Sequence, residues 1–179
     1  MSTTKRSAPP IAATALLLAL AACGREDVAH YRVALRGWPR DPRLLNQLAA
    51  SLALVGTRAE REEALRLAEE GLRQRPHYML RAMLLDTRAD LLFRLGRSAD
   101  ALAAYRELSS TVGGMTAPEP WHRLGDLATT AGDHALARRA YEEALDYGRD
   151  YPGRERAAEV VASPVASPAG GQGREAARK

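Results

Sequence analysis

Cys23 is the residue whose surroundings point most directly to chemistry. It is the only cysteine among the 179 residues, so a disulfide within the chain is impossible. Its thiol is therefore free to react as a nucleophile. Leu20, Ala21 and Ala22 stand immediately before it. The segment before Cys23 therefore indicates which reaction its thiol undergoes.

Residues 1–22 have the features of an export signal. Lys5 and Arg6 give a positively charged start, and residues 11–22 form an apolar run of 12 residues. A membrane-spanning helix needs about 20 apolar residues, so this run is too short to span a membrane comfortably. Its length is typical of the core of a signal peptide. We therefore predict a signal peptide over residues 1–22.

The string Leu20-Ala21-Ala22-Cys23 resembles the lipobox of bacterial lipoproteins. The resemblance implies that Cys23 receives a diacylglycerol and that the chain is cut just before it. Several acyl chains on one protein hold it stably at a membrane. Two alternatives remain: an ordinary signal cut after Ala21 or Ala22, and an uncleaved anchor. Enteric-type lipoproteins kept at the inner membrane tend to have Asp where this chain has Gly24, so we expect the outer membrane, facing the periplasm.

Histidines and carboxylates are the other side chains that could do chemistry. None of the four histidines is spaced from another His or from the Cys as metal ligands are. His122 and Asp126 lie four residues apart on a predicted helix, and we interpret them as a solvated polar pair. No glycine-rich phosphate loop or Gly-x-Ser-x-Gly motif occurs. The sequence thus predicts no enzyme, no cofactor and no metal.

Adjacent acidic residues such as Glu62 and Glu63 do not form a catalytic dyad. Neighbours on a helix point about 100° apart. Such residues are typical of a solvated helix face with arginine partners four residues away. The expected pairs are Glu62 with Arg66 and Glu69 with Arg73.

The amino-acid composition indicates which kind of secondary structure positions these residues. The chain is 46% hydrophobic but only 5% aromatic, and Ala, Leu and Arg favour helices over strands. We predict an all-α protein. Residues 7–152 hold 19 basic and 19 acidic residues, so the net charge of +4 comes from the two ends. A neutral centre does not predict nucleic-acid binding.

A repeat occupies the middle of the chain. Small residues at Ala64, Ala101 and Ala137 are separated by 37 and 36 residues, close to the tetratricopeptide period of about 34. The third segment resembles a tetratricopeptide repeat in Trp121, Leu124, Gly125, Gly132, Ala137, Tyr141 and Ala144. The resemblance implies a right-handed α-solenoid of about three helical hairpins.

The repeat gives a domain organisation. The tetratricopeptide-type domain is predicted over residues 42–152, with repeats over about 42–78, 79–113 and 118–150. A half-repeat or linker covers 23–41, and 153–179 holds a short capping helix over 154–162 followed by a disordered tail. Asp41 and Pro42 are expected to start a helix, and Gly56, Gly96 and Gly132 are expected to end helices in a left-handed conformation.

The first helices of such repeats line a concave groove, and this predicts a binding surface. Its predicted residues are Asn46, Leu54, Asp86, Asp90, Phe93, Arg94, His122 and Asp126. Leu54 and Phe93 would be its apolar points, unless neighbouring helices bury them. Asp86, Asp90 and Asp126 would form an exposed acidic strip, so the partner segment would be basic and binding would weaken with salt.

These features predict a lipid-anchored tetratricopeptide adaptor that mediates protein–protein interaction in the bacterial cell envelope. Two alternatives stay open. One is a structural assembly factor fixed in an envelope complex, such as pilus, secretion or cell-wall machinery. The other is an accessory subunit that recruits an envelope enzyme.

Overall fold

The computed structural model describes the backbone of residues 11–163 and the side chains of residues 24–163. These residues form eight α-helices and no strand, which confirms the all-α prediction. The helices are α1 (Ile11–Gly37), α2 (Pro42–Val55), α3 (Arg58–Arg73), α4 (Tyr78–Arg94), α5 (Ser98–Ser109), α6 (Pro118–Thr130), α7 (His134–Asp146) and α8 (Arg154–Ala162). The start of the predicted signal peptide, the Cys23 side chain and the predicted tail beyond Ser163 lie outside the described residues.

Helix α1 runs without a break from the predicted signal peptide into the predicted half-repeat. Its described side chains pack against α2: Val28 is buried, and Tyr31 and Leu35 pack on the same core. A four-residue connection joins α1 to α2, so the two helices run antiparallel. In the part of the chain that the structure describes, no helix has the length and apolar character to cross a membrane.

Side-chain caps are found at the starts of α2, α3 and α7. Asp41 accepts a hydrogen bond of 2.8 Å from the backbone N–H of Arg43, and Pro42 occupies the first turn of α2, as predicted. Thr57 and Glu60 form a reciprocal capping box at the start of α3, with distances of 2.7 and 3.3 Å. These bonds satisfy backbone donors that a helix start leaves unpaired.

The turns inside the hairpins differ from one another. Gly96 and Gly132 have φ values of 75° and 77°, so the predicted left-handed ends of α4 and α6 are confirmed. The same prediction for Gly56 is wrong, because its φ of −73° and ψ of 151° are extended. Thr57 caps α3 directly after it, and the chain has no room for a left-handed turn.

Small residues let the helices approach closely. Ala49, Ala64, Ala89, Ala101 and Ala137 are all buried, and so is Gly125. A Cβ at Gly125 would lie 2.5 Å from the Tyr141 ring, so this crossing of α6 and α7 requires glycine. One core extends from α1 to α7, and a smaller core joins α6, α7 and α8.

Helix α8 covers the residues predicted for a terminal helix and packs against α7. Arg138 of α7 donates hydrogen bonds of 2.6 and 3.0 Å to the carbonyls of Val161 and Ser163. This side chain therefore fixes the end of α8.

The predicted surface ion pairs are wrong in detail. Glu62 pairs with Arg58 at 3.5 Å rather than with Arg66. Arg73 pairs with Glu70 at 2.6 Å rather than with Glu69. Both pairs are exposed, where several arginine rotamers compete at little cost.

Candidate binding surface

Helices α2, α4 and α6 form a joint surface, which we call the α2–α4–α6 face. Thr87 of α4 contacts Asn46 of α2, and Arg123 of α6 contacts Asp90 and Phe93 of α4. All eight residues predicted to line the groove belong to these three helices. The structure places them in different environments, and only some are accessible.

The junction between α2 and α4 is closed by a neutral hydrogen bond. Thr87 Oγ1 donates to Asn46 Oδ1 at 3.0 Å, and both residues are buried. Asn46 was expected to face a partner. The structure corrects this in part: its amide oxygen is used between the two helices and the residue is buried, although Asn46 also lines the cavity beside this junction.

A cavity of about 260 Å³ opens beside this junction. It is lined by Arg43, Asn46, Gln47, His77, Met79, Leu80 and Met83. Met79 and Met83 remain 58% and 50% exposed. Thioether side chains are flexible and polarizable, and they suit surfaces that accept varied partners. Neither methionine was among the residues predicted from the sequence, although the two stand four residues apart on the helix that carries Asp86 and Asp90.

Asp90 lies at the centre of a charged cluster between α4 and α6. Its side chain is 15% exposed and meets Arg94 Nε at 2.6 Å and Arg123 Nη1 at 2.7 Å. The Arg123 guanidinium also lies 5.8 Å from the centre of the Phe93 ring and 3.4 Å from the Tyr105 hydroxyl. Two arginines thus compensate the charge of Asp90.

Asp86 has no such compensation. Its Oδ1 atom is buried, and no donor among residues 24–163 forms a hydrogen bond with it. Burial raises the pKa of Asp86 to about 6, Asp90 adds to the increase, and Arg123 opposes it. Asp86 and Asp90 were both expected to be exposed; the structure corrects this, since both are partly buried.

His122 and Asp126 are not the solvated pair that the sequence suggested. His122 is buried between the rings of Tyr141 and Tyr151, with ring centres 5.3 and 5.5 Å away. Burial lowers the pKa of His122, so the imidazole is neutral at pH 7. Its Nε2 lies 3.5 Å from Asp126. The imidazole belongs to the interior rather than to a groove.

Asp126 already has partners within the fold. It accepts a hydrogen bond of 2.7 Å from the Tyr141 hydroxyl and lies 3.3 Å from Arg156 of α8. The expected acidic strip is therefore not uniform. Asp90 and Asp126 are paired, and Asp86 is the carboxylate that the described residues leave without a close cation or donor.

Both predicted apolar points are accessible, but they lie apart from the cavity. Leu54 is 67% exposed and Phe93 is 38% exposed. Leu54 stands near the end of α2, whereas the cavity is lined by residues from the beginning of that helix. The helical rise puts about 12 Å between Leu54 and Asn46. Met79 and Met83 are thus the apolar side chains that belong to the cavity.

Comparison of the chain with protein families, curated proteins and solved structures finds no match. Within the described residues, no group of three or more His, Cys, Asp or Glu side chains is placed to hold a metal ion. Function must therefore be inferred from the chain's own residues. The features that one face offers are exposed methionines, a cavity and an uncompensated carboxylate.

Proposed function

We propose that this chain is a lipid-anchored adaptor of the bacterial cell envelope, a tetratricopeptide-type solenoid whose α2–α4–α6 face binds another protein. The observation that carries the binding role is the cavity between α2 and α4, with its half-exposed Met79 and Met83. Concave surfaces that are mainly apolar with a few polar groups are the usual binding sites of proteins.

The arrangement of hairpins supports the solenoid. Each of the pairs α2–α3, α4–α5 and α6–α7 packs within itself, and successive pairs pack on one another. The buried small residues recur at the spacing of the sequence repeat. Stacked hairpins of this kind expose their first helices along one extended surface.

The residues that follow Cys23 support a short and rigid anchor. Gly24 lies against Val55, and Arg25 pairs with Glu60 at 2.7 Å and donates to the Val55 carbonyl at 3.1 Å. A lipid on Cys23 would therefore hold the turn between α2 and α3 near the bilayer. The cavity is at the other end of α2, where it would face away from the membrane.

Site-specific photo-crosslinking in cells tests the binding role. A photoreactive residue replaces Met83 in the full chain, and a matched variant carries it at Val112, which is 77% exposed in the turn after α5. We expect a discrete adduct from position 83 and none from position 112. Adducts of equal yield from both positions, or from neither, would contradict the assignment of this face.

Metabolic labelling with a palmitate analogue tests the anchor separately. The wild-type chain should be labelled, and Cys23→Ser should lose the label because no other cysteine is present. Unchanged labelling of the Cys23→Ser variant would remove the lipobox interpretation. The crosslinking result does not depend on this outcome.

A further inference from the structure

We propose that the partner docks on the cavity and on the exposed side of α4 through an extended segment with an apolar residue followed, two positions later, by Lys or Arg. The apolar side chain enters the cavity beside Met79 and Met83, and the cation pairs with Asp86. The inference rests on the proposed binding function and specifies its partner.

The apolar half of this motif follows from the cavity. Met79 is 58% exposed and Met83 is 50% exposed, although burial of a methionine side chain stabilises a protein. The volume of about 260 Å³ accommodates one large aliphatic or aromatic side chain. Arg43 at the rim already pairs with Asp41 at 3.1 Å, so the polar rim does not call for an acidic partner residue.

The basic half follows from the carboxylates of α4 and α6. None of them lines the cavity, but Asp86 stands three residues after Met83 and is its neighbour on the helix surface. Arg94 and Arg123 hold Asp90, and Arg156 and the Tyr141 hydroxyl hold Asp126. The Oδ1 atom of Asp86 is buried without a donor among the described residues, but the side chain is only partly buried, so a cation would approach the carboxylate from its exposed side. A partner that covered this carboxylate without supplying a cation would desolvate it further, which is costly. A Lys or Arg offsets that cost.

The spacing follows from helix geometry. Along α4, Asp86 lies about 4.5 Å beyond Met83 and about 9 Å beyond Leu80. In an extended segment, residues i and i+2 point to the same side and lie roughly 6.6 Å apart. An apolar residue and a cation in that relation therefore reach the cavity and Asp86 together.

The titration of Asp86 gives this docking a pH dependence of known sign. The charged or titratable groups that face it are Asp90 on its own helix, Tyr105 on α5, and Glu119 and Arg123 on α6. The pKa of Asp86 is raised to about 6. As the pH falls through 6, the carboxylate is protonated and no longer attracts a cation. A partner without a cation should instead bind better in acid, because the neutral carboxyl is cheaper to bury.

Peptide selection tests the proposal and does not require the partner to be identified first. Random displayed dodecapeptides are panned at pH 7.5 on the full chain in lipid nanodiscs, and selected sequences are synthesised with a fluorophore. Their affinities are measured by fluorescence polarisation at pH 7.5 and 5.0. The proteins compared are wild type, Asp86→Asn and the control Asp146→Asn, whose carboxylate lies on the exposed part of α7.

We expect selected peptides to share an apolar-x-Lys/Arg motif. Asp86→Asn should weaken them roughly tenfold at pH 7.5, the size of one partly desolvated charge pair. Wild type should lose a similar factor at pH 5.0, and Asp146→Asn should match wild type. The proposal is overturned if no peptide is enriched, if selected peptides lack a cation, or if Asp86→Asn binds them as wild type does. If position 83 forms a crosslink but Asp86→Asn binds the selected peptides as wild type does, this inference is wrong and the adaptor role is still supported.

Discussion

The junctions α2·α4 and α4·α6 are built at corresponding positions but with opposite chemistry. The buried small residues Ala49, Ala89 and Gly125 align the three first helices. Asn46 and Asp86 stand three residues before Ala49 and Ala89, and Thr87 and Arg123 stand two residues before Ala89 and Gly125. At the first junction, Asn46 and Thr87 form a neutral hydrogen bond of 3.0 Å. At the second, Arg123 turns to Asp90 at 2.7 Å and leaves the buried oxygen of Asp86 without a donor.

The difference separates stability from function. A buried amide and hydroxyl that satisfy each other cost little, and such a junction has only to hold two helices together. A partly buried carboxylate without a hydrogen bond works against folding at neutral pH. Residues that reduce stability in this way are typical of functional sites, and Asp86 stands three residues after Met83 of the cavity.

The largest effect is expected from Arg123→Met. This change leaves Asp86 and Asp90 close together without the cation between α4 and α6. Removing one partner of a buried pair costs about 3–5 kcal/mol, and we expect about 2–3 kcal/mol here because the Arg123 side chain stays 27% exposed. Urea denaturation at pH 7.5, followed by circular dichroism, measures it.

The matched control is Arg94→Met, which removes the other cation of Asp90 within the same helix. The two arginines are about equally exposed, but the Arg94 pair lies within one helix, where pairs four residues apart contribute only about 0.2–0.5 kcal/mol. Equal losses for the two variants would mean that Arg123 is no more than a surface residue and that the junctions do not differ.

Asp86→Asn should stabilise the fold. The pKa of Asp86 is about 6 in the folded chain, against an ordinary value of 3.8, so folding favours the protonated form. The stabilisation this group supplies is complete below about pH 4 and is lost as the pH rises through 6. The asparagine amide does not ionise, so Asp86→Asn should raise the free energy of unfolding by about 1–2 kcal/mol at pH 7.5.

Unfolding free energies of wild type and Asp86→Asn, measured between pH 5 and 7.5, check this prediction. The advantage of the variant should shrink as the pH falls. A constant difference across the range, or a less stable variant at pH 7.5, would contradict an uncompensated carboxylate at this junction.

The sequence sufficed for the helices and their small contact residues. Helix period, capping residues and glycine at Gly96 and Gly132 are local properties, and the structure confirms them. Gly56 failed because the cap of the next helix follows at once, and two local signals competed.

The candidate site was less predictable. Register alone placed Asn46, Asp86 and His122 on one exposed face, but partners from other helices decide their burial. Thr87 covers Asn46, Tyr151 covers His122, and nothing in the spacing of either residue shows this. The cavity also depends on how α2 and α4 pack together. The sequence shows only that its two methionines stand four residues apart on α4.

Thr87→Val probes the neutral junction. It keeps the shape of the side chain and removes the donor to Asn46, whose oxygen then stays buried and unpaired. The expected loss is about 1 kcal/mol. The loss should be the same at pH 5 and pH 7.5, since neither residue titrates.

Thr130→Val is its control, because Thr130 is exposed at the end of α6. It should change stability by no more than about 0.5 kcal/mol. A pH-dependent loss in Thr87→Val would show that the first junction senses Asp86, and the two junctions would then have to be treated as one.

Changing Met79 and Met83 together should have the smallest effect on stability and the largest effect on binding. Met79→Ser with Met83→Ser alters two side chains that are half exposed or more, so the unfolding free energy should change by less than about 0.5 kcal/mol. The same double variant should lose the peptides selected on wild type, because the apolar wall of the cavity is gone. Thermal melting and fluorescence polarisation on the same samples compare the two quantities. If the double variant melts much earlier, the methionines belong to the core of the junction, and the cavity beside α2 is a packing defect rather than a docking site.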